Sequence, residues 1–202
     1  QVMADTIMER IVDPGHKGVV YTQLEHSFTD FRQTQYEQTM DERGFPNQRR
    51  TGNILADRLG DRVRTVIFHG PLQDSRSRMG YGYPMGGAME RAMEGTPQGT
   101  LPVGFTVAET PYADGPITSD SYSDMTEEEL VLSGFTDGYI ILNTITQYES
   151  VTPIPGFITE DNIDRAISEF PGPSPGEVGV SEMNEFISGT AESMARIFEE
   201  FE

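Results

Sequence analysis

The alternation of apolar and polar positions is most regular between residues 45 and 70. Apolar residues at positions 54, 55, 56 and 59 share one side of a short helix, which Gly60 ends. Alternating residues over 63–68 then predict a strand. The stretch therefore predicts a compact helix–strand unit, and it contains neither a nucleophile motif nor a phosphate-binding loop.

The same reasoning predicts helices and strands along the rest of the chain. Apolar spacings predict helices over residues 2–12, 22–43, 159–170 and 181–201, and residues 88–94 are the one part of a loop-like stretch that fits a helical turn or two. Alternation predicts a strand over residues 103–109. Residues 139–146 are apolar on both faces at their start, which is typical of a strand at the centre of a sheet.

Glycine and proline divide the chain into a body and a helical arm. Residues 1–170 form the predicted body, in which residues 70–138 are a long loop insert. Residues 171–177 are a Pro/Gly linker, and residues 178–202 an amphipathic C-terminal helix. The apolar stripe of this helix either folds back on the body or docks on a neighbouring subunit, and the sequence leaves both open.

Charge is unevenly distributed along the chain. The net charge of the 202 residues is −19. Residues 1–100 contain 12 Lys and Arg against 13 Asp and Glu, whereas residues 101–202 contain 2 against 20. This acidic half is unsuited to tight nucleic-acid binding, because phosphate contacts need cations. It is either a solvated surface or the lining of a passage through which DNA slides.

Composition also bears on the source and the compartment. Lys17 is the only Lys, and an acidic, Lys-poor chain is typical of a halophilic protein, although a preference for Arg codons also depletes Lys. The chain has no Cys, which excludes disulfides and Cys-ligated metals. It has no apolar run long enough to span a membrane, so we expect no membrane partner.

Residues capable of chemistry are scattered. His16, His26 and His69 share no metal-ligand spacing. Asp114, Asp120 and Asp124 are candidate ligands for a hard cation such as calcium or magnesium, or they belong to a solvated loop without EF-hand spacing. We expect no cofactor and no catalytic residue.

Other residues are candidates for contacts between subunits. They lie in the turn before the helix that starts near residue 51, in the Met- and Gly-rich loop over residues 70–100 and on the C-terminal helix: Arg49, Arg50, Thr51, Met79, Met85, Met89, Met93, Met183, Ile187, Met194, Ile197 and Phe201.

Three short motifs carry a family resemblance. They are residues 50–55 (RTGNIL), then Tyr148-Glu149 or alternatively residues 92–96 (AMEGT), and finally Pro155-Gly156-Phe157. With the order of elements between residues 24 and 170, they resemble the tail-completion and minor tail-component family, the head–tail connectors of tailed phages and archaeal tailed viruses. The insert and the C-terminal helix lie outside the resemblance.

The resemblance implies an α+β fold with a twisted, mainly antiparallel sheet and helices packed on one face. It also implies a structural virion protein, assembled in the host cytoplasm as a ring of identical subunits in the neck. Its partners would be copies of itself and other joint and tail proteins, with DNA only as passing cargo. Two alternatives remain open: a small metal-dependent hydrolase using the Asp-rich loop at 114–124, and a solitary halophilic binding or surface module.

Overall fold

The computed structural model describes residues 1–45, 49–73, 80–94, 101–117, 130–169, 178–199 and 201. The chain divides into two compact units, Gln1–Thr144 and Ile145–Glu202. The division falls just after the strand at the centre of the sheet, whereas the sequence placed it at residues 171–177. Each unit is described by itself below.

The helices of the N-terminal unit are short. They are α1 (Val2–Ile7, continued by a π-helical turn over Met8–Val12), α2 (Leu24–Ser27), α3 (Thr34–Glu42), α4 (Thr51–Leu59), α5 (Ala88–Met93) and α6 (Leu132–Phe135). Helices α1 and α4 confirm the predictions from apolar spacing, and α5 is the short helix expected within residues 88–94. Within the described residues, no helix has the length and apolarity needed to cross a bilayer.

The long helix predicted over residues 22–43 is wrong, because the chain is broken between α2 and α3. Phe28 and Phe31 point into the core from this break. The buried side-chain amide of Asn53 donates to the carbonyl oxygens of Thr29 and Phe31, at 2.9 Å each. These bonds satisfy carbonyls that a continuous helix would have paired internally, so tertiary contacts override the local helical pattern.

Helix α4 packs against the end of α2 at very short range. A Cβ added at Gly52 would lie 2.2 Å from the carbonyl oxygen of Phe28 and 2.5 Å from that of Ser27. Only glycine leaves room for this approach of two backbones. At the other end, Gly60 adopts a φ of 54°, a region that favours glycine, and the helix ends there.

A small mixed sheet forms the centre of the N-terminal unit. Its strands are β1 (Val66–Phe68), β4 (Val103–Thr106) and β5 (Gly138–Ile141), in the order β1-β5-β4. Strand β5 is central, as predicted, and it pairs parallel to β1 and antiparallel to β4. Strands β2 (Leu72–Gln73) and β3 (Tyr81–Gly82) form a separate antiparallel pair. Residues 70–138, predicted as a loop insert, thus supply one strand of the main sheet.

One face of the sheet is covered and the other is open. Alternate residues Ile67, Tyr139 and Ile141 are buried in the core, whereas Val66 and Phe68 are exposed on the opposite face. The core packs these strands against helices and the break after α2: Phe28, Phe31, Ile67, Met89, Val107, Ile117, Leu130, Leu132, Phe135, Tyr139 and Ile141. The α+β class and the packing of helices on one face are confirmed.

The C-terminal unit is helical. Helix α7 (Ile163–Glu169) and the long α8 (Val180–Glu199) bury Ile158, Ile167 and Met183 between them. The stripe of α8 therefore packs within its own unit at this point. The helix begins one residue before the predicted start at 181, and the N–H of Gly179 donates to Glu182 Oε2 at 2.8 Å at its N-terminus.

Candidate functional site

An apolar cleft of about 1110 Å³ opens in the N-terminal unit. Residues 15–24 form one wall, and β1 with the preceding residues forms the other. Leu55, Leu59 and Val63 contribute apolar side chains to its lining. The extended segment on the first wall is very exposed, with Val19 at 97% and Tyr21 at 88%. Large apolar side chains in such a position indicate a contact surface rather than part of the core.

None of the described residues that line the cleft is an Asp or Glu, although the chain is strongly acidic. The lining of the cleft includes Lys17, Arg62, Arg64, His16 and His26. Arg64 pairs with Asp137 at 3.0 Å. Lys17 and Arg62 are exposed, and no carboxylate of the described residues lies within ion-pair distance of either. The cleft therefore presents an apolar surface with uncompensated positive charge at its rim.

Strand β1 brings a free backbone edge to this cleft. Its inner edge bonds to β5, since Thr65 O accepts from Gly138 N at 3.0 Å and His69 N donates to Ile140 O at 2.7 Å. Because peptide groups alternate along a strand, those of Val66 and Phe68 point away from β5. No strand of the described chain pairs with that outer edge. An apolar edge strand of this kind is ready to accept another segment.

A second exposed apolar surface lies on the C-terminal unit. We call it the C-terminal patch, and it comprises Val151, Ile154, Phe157, Phe186 and Met194. On its loop, residues 151–157, the exposed fractions are 62% for Val151, 66% for Ile154 and 55% for Phe157. The loop and α8 together enclose an apolar hollow of about 330 Å³. The unit that carries this patch contains twelve Asp and Glu against two Arg.

The loop of the C-terminal patch is held at both ends. Ser150 Oγ donates to the carbonyl oxygen of Ala191 at 3.4 Å. At the other end, the Asn184 amide exchanges two hydrogen bonds with the backbone of Ile158, at 2.9 and 3.1 Å. Both partners lie on α8, so the helix fixes the loop while Val151, Ile154 and Phe157 stay exposed.

A buried polar cluster joins the sheet to α5. His69 Nε2 lies 2.8 Å from Glu90 Oε1, and His69 Nδ1 lies 2.8 Å from the hydroxyl of Tyr139. Burial raises the pKa of Tyr83 nearby, and the negative charge of Glu90 raises it further. Neither His69 nor Glu90 lines the cleft. The cluster therefore links β1, β5 and α5 through buried side chains.

The predicted contact residues near α4 mostly bind within the chain. Arg49 pairs with Asp57 and also donates to the backbone of Asn53. Arg50 lies over the ring of Tyr36, 4.1 Å from its centroid. Thr51 is buried. The turn at 49–51 therefore stabilises the N-terminal unit, and it is not the free surface that the sequence suggested.

The predicted Met surface is also largely internal. Met89 is 1% exposed and belongs to the core, and Met85 and Met93 pack against it. Met79 lies outside the described residues. The surface role predicted for Met89 is wrong, because the sheet and the helix break supply an apolar environment that the sequence does not reveal.

The residues predicted on the C-terminal helix are divided between interior and surface. Met183 is buried, and the contact role predicted for it is wrong. Ile187 lines the hollow of the C-terminal patch, and Met194 is exposed. Ile197 and Phe201 are half-buried. Sequence reasoning missed Phe68, Tyr21 and the apolar residues of the 151–157 loop as contact candidates. The sequence feature that could have identified them is the presence of β-branched and aromatic residues close to prolines and glycines.

Of the three Asp residues predicted as metal ligands, the structure describes only Asp114. Asp114 is exposed, and Asp120 and Asp124 lie outside the described residues. No group of His, Asp and Glu in the described ranges is arranged to hold a metal ion.

Compared with known proteins, the chain has no significant match to a family model, to a curated protein or to a solved structure.

Proposed function

We propose that this protein is a structural subunit that assembles head-to-tail with copies of itself. The observation that carries the proposal is the presence of two different exposed apolar surfaces with opposite electrostatic character. One is the cleft of the N-terminal unit, whose described lining contains no Asp or Glu. The other is the C-terminal patch, on a unit with twelve acidic residues and two Arg. Head-to-tail assembly requires two unlike surfaces that fit one another.

The physical driving force comes from burial of apolar area. Val19, Tyr21 and Phe68 on one side and Ile154 and Phe157 on the other are each 48% or more exposed. Each large side chain that leaves water contributes about 1.5–3 kcal/mol. Attraction between the positive charges at the rim of the cleft and the acidic unit orients the two copies and contributes little to affinity. Concentrated salt reduces that contribution further, because it screens the charges.

We further propose that these copies close into a ring at the head–tail joint of a tailed virus of a salt-loving archaeon. This rests on the resemblance of residues 50–55, of Tyr148-Glu149 or alternatively residues 92–96, and of Pro155-Gly156-Phe157 to the tail-completion and minor tail-component family. A ring whose channel is lined by acidic residues repels DNA and lets it pass without binding. The mature location would then be the virion.

The experiment is to measure the mass of the purified chain in molar salt and to image the particles by electron microscopy. We expect a concentration-dependent oligomer with rotational symmetry. A species that stays at 22.5 kDa at every concentration, alone and with added neck and tail proteins, would overturn the proposal. Imaging of the ring also tests the channel, because acidic residues of the 101–202 half on the outer rim would contradict a DNA-repelling lining.

A further inference from the structure

We propose that the 151–157 loop of one copy occupies the cleft of the next copy. This inference rests on the proposed head-to-tail assembly and names the segments that meet. The cleft is too large for one side chain, since clefts of about 300–1,000 Å³ take whole drug-sized ligands. A loop that inserts Val151, Ile154 and Phe157 together matches both its size and its apolar lining.

The loop is rigid before it binds. Pro153 and Pro155 restrict the residues that precede them, Thr152 and Ile154, to extended conformations. The N–H of Phe157 donates to Ile154 O at 3.1 Å, and Gly156 at the turn has a φ of 66°. A preorganised loop loses little conformational entropy on docking, which favours affinity.

Charge also favours this occupant. The apolar loop is bracketed by exposed acids, Glu149 on one side and Glu160 with Asp161 on the other. The cleft offers Lys17 and Arg62 at its rim and no described carboxylate in its lining. The apolar side chains of the loop therefore match the apolar lining of the cleft, and the acids beside the loop match the positive charges at the rim of the cleft.

Backbone groups complete the match. The carbonyl and N–H groups of Val66 and Phe68 on the outer edge of β1 are not used by β5. In the loop, proline removes the N–H of residues 153 and 155 but leaves those of Thr152 and Ile154. If the extended conformation favoured before proline is β-like, the two N–H groups lie on one edge and can donate to the outer edge of β1, while the Ile154 carbonyl accepts from Phe157 within the turn.

The test uses one variant of each surface. Phe68→Glu places a charge in the cleft, and Ile154→Asp places one on the loop; both side chains are exposed in the subunit, so folding is retained and is checked by circular dichroism. We expect each substitution to weaken association by about a hundredfold or more. Matched controls are Phe45→Glu and Leu142→Asp, which alter exposed apolar residues outside both the cleft and the C-terminal patch and should leave association within a few-fold.

Mixing the two variants makes the test specific. In the mixture, one copy still has an intact loop and the other an intact cleft, so a 1:1 complex should form although each variant alone is monomeric. Because the chain has no Cys, Val66→Cys in one copy and Ile154→Cys in another should also give an intermolecular disulfide in the mixture.

The outcomes separate this inference from the assembly proposal. If the wild type is always monomeric, head-to-tail assembly itself is wrong. If the wild type assembles but Ile154→Asp assembles equally well, assembly is correct and the assignment of the 151–157 loop to the cleft is wrong. An effect confined to Phe68→Glu would indicate that two β1 edges pair with each other. A Val66→Cys/Ile154→Cys double variant that closes only within one chain, at monomer mass, would also overturn the inference.

Discussion

The Nδ1 atom of His69 lies 2.8 Å from the hydroxyl oxygen of Tyr139, inside the core of the N-terminal unit. His69 follows β1 and Tyr139 lies in β5, so this bond ties the two parallel strands together through their side chains. The other imidazole nitrogen contacts Glu90 on α5. When the imidazole is neutral, Nε2–H donates to the Glu90 carboxylate and Nδ1 accepts from Tyr139. The arrangement fixes the position of α5 on the covered face of the sheet.

Removal of the Tyr139 hydroxyl tests the importance of this bond. Tyr139→Phe keeps the ring, whose centroid lies 5.7 Å from that of Phe105, but removes the buried hydrogen bond. We expect the free energy of unfolding to fall by about 1–3 kcal/mol, measured by urea denaturation. Tyr21→Phe is the control, because the ring of Tyr21 is almost fully exposed. Equal stabilities of the two variants would contradict the prediction.

The close approach at Gly52 predicts a large effect of a single methyl group. Gly52→Ala places a Cβ 2.2 Å from a backbone oxygen, so α4 or α2 has to move. We expect a loss of about 3 kcal/mol or more of unfolding free energy. Gly189→Ala in α8 meets no atom within 4 Å and should be neutral or stabilising by up to about 1 kcal/mol. Thermal unfolding of both variants makes the comparison, and similar melting temperatures would rule out the contact.

Acid should weaken the contact of Arg49 with α4. The hydrogen bond from Arg49 holds the pKa of Asp57 below its ordinary value. The contribution of this carboxylate to stability is therefore present above its unfolded-state pKa and is lost as pH falls through the lower folded-state pKa. We expect Asp57→Asn to lower stability near neutral pH and to reduce its loss in acid.

The control for the acid prediction is Asp114→Asn. Asp114 is exposed and forms no ion pair with the described residues, so this variant should keep the acid dependence of the parent chain. Stability is measured as the urea midpoint across the acid range. The same acid dependence in Asp57→Asn and the parent would remove the role assigned to Asp57.

Salt should stabilise the folded chain. A net charge of −19 on 202 residues creates repulsion in the compact state, and the screening length falls from about 10 Å at 0.1 M to about 3 Å at 1 M salt. We expect the urea midpoint to rise between low and molar potassium chloride. A sugar at matched osmolality is the control, because it does not screen charge. An unchanged midpoint in salt would argue against a halophilic design.

Sequence patterns correctly predicted the helices and strands that depend only on residues close to them in the sequence. Helix α4 and its end at Gly60 follow from apolar spacing and a glycine stop, and the central position of β5 follows from its apolar run. The break after α2 could not be predicted in this way. It depends on Asn53, which is distant in sequence but supplies hydrogen bonds to the backbone of Thr29 and Phe31. For the same reason, Met89 could not be assigned to the core from its place in a Gly-rich stretch.

The sequence by itself determined composition, charge asymmetry, the α+β class of elements and the amphipathic C-terminal helix, because these depend on residue type and short-range spacing. Tertiary structure alone decided which apolar residues stay in solvent. Val66 and Ile67 are neighbours of the same chemical kind, yet one is exposed on the open face and the other is buried. That difference arises from the pairing of β1 with β5 and from helices that cover one face only, and no residue pattern within β1 carries this information.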